Sequence, residues 1–321
     1  MNIPVVEIKN LTKDFQVGFW KKHPVRALDN LNLQVYKGEI FGFLGPNGAG
    51  KSTTLKILMH LLHPTSGEAR ILGQSIDSVS MHKSIGYLPE NPYFYDYLTP
   101  EELLTYVGRL FGISSSILAQ KVETLLKRVG LDGSRKLQLR KFSKGMVQRI
   151  GIAQAIINDP EVVFLDEPMS GLDPLGRMEV RQIITSLKAQ GVTVFFSSHI
   201  LPDVEAICDR VAILNKGKLL QVGALEEILK VGIEGHEVIL SKWSVPVLGE
   251  LRETCSEVRL MGDRLHLKLR TPAQMELLFS LVSTHRLELI SVNPIRPSLE
   301  EYFQSIVGVP PPAESRGQVA L

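Results

Sequence analysis

The chain has only two cysteines, Cys208 and Cys255, which show neither a metal-ligand spacing nor the pattern of a redox pair. That scarcity argues against a disulfide scaffold and predicts two free thiols in a reducing compartment. No window supplies the eighteen or more uncharged apolar residues that a membrane span needs, so any role at a membrane has to come through a partner. The opening Met-Asn-Ile-Pro-Val-Val-Glu-Ile-Lys lacks the charged and apolar regions of a secretory signal, which predicts a chain that stays on the cytoplasmic side. Charge of one sign is also missing. The 36 Lys and Arg against 34 Asp and Glu leave a formal net charge of +2, which gives no electrostatic case for nucleic acid as a partner. Basic pairs such as Arg135-Lys136 and Arg140-Lys141 read as solvated surface or phosphate neighbours. The remaining composition, 44% apolar and 22% charged over 321 residues, is that of a folded protein with one large core and a smaller unit.

Against that background one stretch organises the chain, Gly45-Pro-Asn-Gly-Ala-Gly-Lys-Ser-Thr53. It follows the apolar run Ile40–Leu44 and opens the helix-competent run 54–62, which is the strand, Gly-rich turn and helix setting of a P-loop. Gly45, Gly48 and Gly50 let the backbone curl around phosphate oxygens, and the helix start adds unpaired N–H donors and a positive dipole end. Asn47, Gly48, Ala49, Gly50, Lys51, Ser52 and Thr53 are therefore candidate nucleotide contacts. Lys51 is placed to reach the β- and γ-phosphates and Ser52 to ligate Mg²⁺.

Further candidates follow in order. Residues 5–9 and 31–35 read as short strands of an antiparallel layer, joined by a polar loop, Phe15 to Pro24, that carries three aromatics. A bound adenine needs a flat stacking surface; Phe15 is the candidate, Phe19 and Trp20 compete, and rings that merely cover the sheet are the alternative. Past the strand 83–88, Glu90 can contact Mg²⁺ or an attacking water. Thr99-Pro-Glu-Glu102 is a helix start and opens a helical subdomain over about 98–157. Within it Ser143 caps a helix, so that Ser143, Lys144 and Gly145 form a second possible phosphate receptor. The run Val162-Val-Phe-Leu-Asp166-Glu167 reads as a buried parallel strand whose end faces the ligand. Asp166 suits the metal and Glu167 suits the general base. His199 ends a second apolar strand, where an imidazole can hold water or a γ-phosphate oxygen. Gly232 and Gly235 mark the boundary of a smaller unit, over 233–304, whose β-α-β-β-α-β order is that of a ferredoxin-like fold. Residues 305–321, with Pro310-Pro-Pro312, read as a flexible tail.

Together these residues resemble the ATP-binding cassette (ABC) subunit of a membrane transporter, over roughly residues 5–225. Gly45–Thr53 matches the family's Walker A loop, Phe15 its adenine-stacking aromatic, Glu90 the Q-loop position and Phe142-Ser-Lys-Gly-Met146 the signature. Val162–Asp166 matches Walker B, Glu167 the catalytic carboxylate, Ser170–Asp173 the D-loop and His199 the switch histidine. The resemblance implies an α/β P-loop ATPase, residues 1–232, with an antiparallel N-terminal subdomain and an inserted helical subdomain. It also implies ATP and Mg²⁺ as cofactors, with Ser52, Asp166 and Glu90 near the metal.

The implied partners are a second copy or paralogous cassette, packed head to tail so that Ser143, Lys144 and Gly145 of one contact the γ-phosphate held by Lys51 of the other. Integral membrane permease chains would complete the assembly at the cytoplasmic face of the membrane, with a coupling helix docked near Glu90–Leu98. The Tyr-Leu-Pro-Glu form resembles cassette subunits of drug and polysaccharide exporters. Two positions depart from the family pattern. Lys144 stands for a usual glycine, either reinforcing γ-phosphate binding or pointing to solvent, and Glu90 stands for a usual glutamine. The alternative class is a soluble cassette ATPase of translation or DNA maintenance, whose second cassette or long coiled-coil insertion has no counterpart in the sequence.

Overall fold

A computed structural model describes residues 3–18, 22–230, 235–295 and 298–307. It divides into two compact units, Met1–Leu225 and Glu226–Leu321. The contacts divide between Leu225 and Glu226, and the expected boundary at residue 232 lies outside the described residues.

The first unit opens with β1 (Pro4–Val17) and β2 (His23–Tyr36), which are antiparallel. Both run longer than the short strands expected, because pairing continues through Phe15↔Val25 to Val17↔His23 with several register shifts. At that exposed end the residues lose the apolar alternation that marks a strand in sequence. With β4 (Ser66–Ile71) and β5 (Gln74–Ser75) they form a sheet in the order β2-β1-β4-β5.

The main sheet comprises β3 (Ile40–Leu44), β6 (Ile85–Leu88), β7 (Val162–Leu165), β8 (Thr193–Ser198), β9 (Arg210–Asn215) and β10 (Lys218–Ala224), in the order β10-β9-β3-β8-β7-β6. All neighbours are parallel except the β9–β10 hairpin at the edge. Every residue of β3, β7 and β8 is buried, which accounts for their continuous apolar runs. Phe195 on β8 stacks against Phe41 and Phe43 of β3 and Phe164 of β7, with ring centroids 5.4, 5.3 and 5.6 Å away, and so locks three strands at their centre.

Helix α1 (Lys51–Leu58) follows β3 and contributes Leu55, Ile57 and Leu58 to a core shared with Val6, Ile8, Leu31 and Leu33 of the antiparallel sheet. Helices α2 (Pro100–Leu110), α3 (Ser115–Arg128) and α4 (Lys144–Ala155) are inserted between β6 and β7. Thr99 starts α2 with a capping box, its hydroxyl accepting from the Glu102 amide while the Glu102 carboxylate accepts from Thr99. Helix α4 lies directly on β6: a Cβ on Gly86 would run into the carbonyl oxygen of Ala155. Helices α5 (Pro174–Ala189) and α6 (Leu201–Ile207) complete the unit. Among the described residues no helix is long and apolar enough to cross a membrane.

After α7 (Leu225–Lys230), the second unit runs β11 (Gly235–Ser241), α8 (Val245–Thr254), β12 (Glu257–Met261), β13 (Arg264–Leu269), α9 (Pro272–His285), β14 (Glu288–Ile295) and α10 (Leu299–Val307). Its sheet is antiparallel in the order β12-β13-β11-β14, so that β13 lies between the strands joined by α8. That is the split β-α-β, ferredoxin-like topology. Val238, Leu240, Leu265, Leu267 and Leu269 bury one face of the sheet in a core with Val247, Leu251 and Leu278 of the helices.

Gly86 supplies a test of the α4–β6 contact. Gly86→Ala is expected to destabilise the first unit by about 1–3 kcal/mol through overpacking. Gly133→Ala, where a Cβ meets nothing within 4 Å, serves as the neutral control in thermal unfolding; equal midpoints for the two variants would show the contact to be soft.

Candidate nucleotide and metal site

The site forms where the C-terminal ends of β3, β6, β7 and β8 converge, the position at which parallel sheets bind ligands. Gly50 caps α1 with a left-handed φ of 108°, and no side chain caps the helix. Its first N–H groups are left for a ligand. A Cβ on Gly50 would lie 2.6 Å from the Ala27 carbonyl oxygen and 2.7 Å from Leu28 Cδ2, so only glycine fits. A cleft of about 580 Å³ opens over this turn, lined by residues 47–53 together with Ala27, Glu90, Glu167, Ser170 and His199.

Lys51 is buried, and its ammonium donates to the carbonyl oxygens of Gly45 (2.7 Å) and Pro46 (3.3 Å). It also stands 3.1 Å from Glu167 Oε1. The other Glu167 oxygen, Oε2, lies 2.8 Å from His199 Nδ1 and accepts from the His199 amide at 3.4 Å. Glu167 itself has φ 50°, a left-handed conformation that costs a non-glycine residue about 1–3 kcal/mol. Its amide is held by Ser197, whose hydroxyl oxygen accepts from Glu167 N at 2.9 Å while its proton goes to Asp166 Oδ1 at 2.6 Å.

The Ser52 hydroxyl donates to the same Asp166 oxygen at 3.1 Å. Two hydroxyls converge on one carboxylate oxygen. Ser52 and Asp166 thus bring two hard oxygen ligands together beside the P-loop, a donor set that fits Mg²⁺. Tyr87, on β6, has its phenol pKa pushed up to about 12, by burial first and by the negative charge of Asp166 second.

The arrangement brings together Lys51, Ser52, Asp166, Glu167 and His199, with Glu90 exposed on the cleft wall. Other candidates stand elsewhere. Phe15 lies on β1, paired with Val25, under the Lys13 ammonium 5.2 Å from its ring centroid, and is not among the cleft-lining residues. Phe19 and Trp20 lie outside the described residues. Ser143, Lys144 and Gly145 do not line the cleft either: Ser143 caps α4, accepting from the Met146 amide at 3.3 Å. Lys144 is exposed, the second of the two positions expected for it, with its ammonium near Gly171.

Sequence reasoning missed Ser197 and Gln148. Gln148 is buried on α4, and its amide donates to the Glu90 carbonyl oxygen at 3.4 Å. Ser197 carries no local signal, because its role appears only with β8 placed between β3 and β7.

The family profile described as ABC transporter matches residues 28–170. An uncharacterized ABC transporter ATP-binding protein of Synechocystis sp. is 48% identical over 301 residues, which is 93% of this chain and 83% of that protein. A bacitracin transport ATP-binding protein of Bacillus licheniformis is 36% identical over 287 residues, covering 88% of this chain and 93% of that protein. Among solved structures, an ATP-binding cassette captured as a dimer in a post-hydrolysis state with ADP and Pi is similar, at 26% identity and a TM-score of 0.63, over 68% of this chain and 98% of that one. With relatives this similar over most of its length, the chain belongs to the ABC transporter family as one of its ATP-binding, ATP-hydrolysing subunits.

Proposed function

We propose that the protein is half of a head-to-tail cassette pair that powers export through separate, membrane-embedded permease chains, at the cytoplasmic face of the membrane. The observation that carries this reading is a division within one chain: Lys51, Ser52, Glu167 and His199 line one cleft, with buried Asp166 bonded to Ser52 behind it, while Ser143, Lys144 and Gly145 do not line it. A second copy, or a paralogous cassette, supplies those three residues in trans to the γ-phosphate. The relative seen as a dimer with ADP and Pi supports the pairing, and the bacitracin transport relative supports transport as the task.

In this reading the α1 N-terminus and Lys51 hold the β- and γ-phosphates. Ser52 and Asp166 hold Mg²⁺, with Glu90 beside them, and the ion neutralises phosphate charge when bound. A phosphate at Lys51 competes with Glu167 for the ammonium and so frees the carboxylate to face the attacking water. Glu167 then accepts the proton of the attacking water, and His199, fixed through Glu167 Oε2, orients water and γ-phosphate.

The permease has a fitting place. An apolar groove of about 630 Å³ runs between the end of α1, β6 and α2, with Leu61, Val79, Leu110 and Phe111 exposed along it. Exposed apolar side chains gathered in one groove mark an interaction surface. A cytoplasmic helix of the permease laid there contacts Gly86 and Tyr87 on the strand that leads to Glu90.

Three outcomes are expected. Glu167→Gln should retain ATP binding, lose turnover by about 10²-fold or more, and elute as an ATP-dependent dimer; full turnover would remove Glu167 from the base role. Ser197→Ala leaves the buried Glu167 amide without its acceptor, a cost of about 1–3 kcal/mol, and should lower kcat more than ATP affinity. An unchanged kcat would show that Glu167 holds its position without Ser197. Leu110→Asp with Phe111→Asp should abolish co-purification with the permease while leaving ATP turnover of the isolated subunit unchanged, and retained co-purification would move the docking site elsewhere.

A further inference from the structure

A second cleft, of about 350 Å³, lies apart from the P-loop, where the C-terminal end of α3 meets α4 and α5. Three cations line it, Lys127, Arg128 and Arg149, against one carboxylate, Glu179. The helix dipole accounts for part of this. Cations are favoured in the last turn of α3, and Arg149 Nη1 donates just beyond it to the carbonyl oxygens of Val129 (3.1 Å) and Gly130 (3.4 Å).

The dipole does not account for the donors that stay unused. The side chain of Arg149 is 14% exposed, and its ion pair with Glu179, at 3.5 Å, again runs through Nη1. Its buried Nε bonds to no acceptor. Arg128 is half-buried, and among the described residues no oxygen accepts a hydrogen bond from it and no carboxylate pairs with it. Burial lowers the Arg128 pKa against the opposing charge of Asp159, and Asp159 is itself paired with Lys121. A guanidinium withdrawn from water without acceptors costs free energy, which a bound anion recovers.

We propose that this cleft is a binding site for a phosphate-bearing small molecule, its oxyanion held by Arg128 and Arg149. The planar fork of a guanidinium matches the oxygens of a phosphate in pairs. The cleft is in the size range of small-molecule sites and has room for more than a bare ion, which favours a phosphate carried on an organic body. Helices α3 and α4 belong to the insertion between β6 and β7, whereas α5, which contributes Gln182 to the lining, follows Asp166 and Glu167. A ligand there ties the inserted helices to the helix that follows the carboxylates. The inference is independent of the paired-cassette reading.

Isothermal titration of the full chain tests it, with Mg²⁺ and a non-hydrolysable ATP analogue at saturation so that the P-loop is already occupied. Glycerol 3-phosphate should bind as one molecule per chain, and inorganic phosphate more weakly. Arg128→Gln should weaken glycerol 3-phosphate about tenfold or more, the scale of one lost charge-assisted pair, and leave the affinity for ATP unchanged. Arg149→Lys, which keeps the charge and loses the fork, should weaken it as well. Lys136→Gln, which removes an exposed charge outside the cleft, should bind as the wild type does.

No binding of either probe at millimolar concentration, or wild-type binding by Arg128→Gln, would overturn the site. Equal weakening by Lys136→Gln would overturn it too, by reducing it to general surface charge. Inorganic phosphate binding as tightly as glycerol 3-phosphate would overturn the assignment of an organic ligand.

Discussion

Lys51 and Glu167 are both buried, at 5% and 6% exposure, and stand 3.1 Å apart. Removing either ion from water alone costs several kcal/mol, so each needs the other in place. The remaining valences are filled as well: Gly45 and Pro46 carbonyl oxygens accept from the ammonium, and His199 adjoins the second carboxylate oxygen. This pair spans three adjacent strands, since Lys51 follows β3, Glu167 follows β7 and His199 follows β8 between them. The Phe195 cluster beneath keeps those strands in register. The strained φ of Glu167 is then affordable, because Ser197 from below and Ser170 from the following turn fix its amide and carbonyl.

The parts of this arrangement that were legible in the sequence are those where a local pattern has one physical reading. A Gly-rich turn ending in Lys-Ser after an apolar strand predicts the α1 N-terminus, and four apolar residues ending in Asp-Glu predict a buried parallel strand with its carboxylates at the ligand edge. Thr99, Ser143 and Asp173 are caps for the same local reason. What was not legible depends on residues distant in the chain. Pairing extends β1 and β2 well past the alternating segments because each strand is the other's partner, whatever its own sequence suggests. Ser197 acquires its role only once β8 is placed between β3 and β7. The contact between Lys144 and Gly171 joins residues on either side of β7 and has no local signature at all.

The placement of the inserted helices explains why such distant contacts matter. Gly86 and Gly151 let α4 approach β6 closely: a Cβ on Gly151 would lie 2.5 Å from Leu88 Cδ1, and the Leu88 carbonyl oxygen accepts from the Asp166 amide at 2.8 Å. Gln148 on the same helix donates to the carbonyl of Glu90. One helix therefore touches the strand that precedes Glu90, the Glu90 carbonyl itself and, through Gly145, Leu172 of the turn after Asp166 and Glu167. The groove lined by Gly86 and Tyr87 opens on the other side of the same contact region.

A rigid insertion placed this way has few independent ways to move. Because close-packed interfaces resist continuous deformation, a shift of the α4 N-terminus must be taken up where the packing is thinnest, and the turn 170–173 qualifies. Gly171 carries no side chain, and a Cβ there would first meet the ammonium of the exposed Lys144. On either side the structure is firm, with Glu167 locked by Lys51, His199 and Ser197, and Asp173 committed to the α5 amides. The segment between them, residues 170–172, has Glu167 at one end and Gly145 of α4 beside its Leu172.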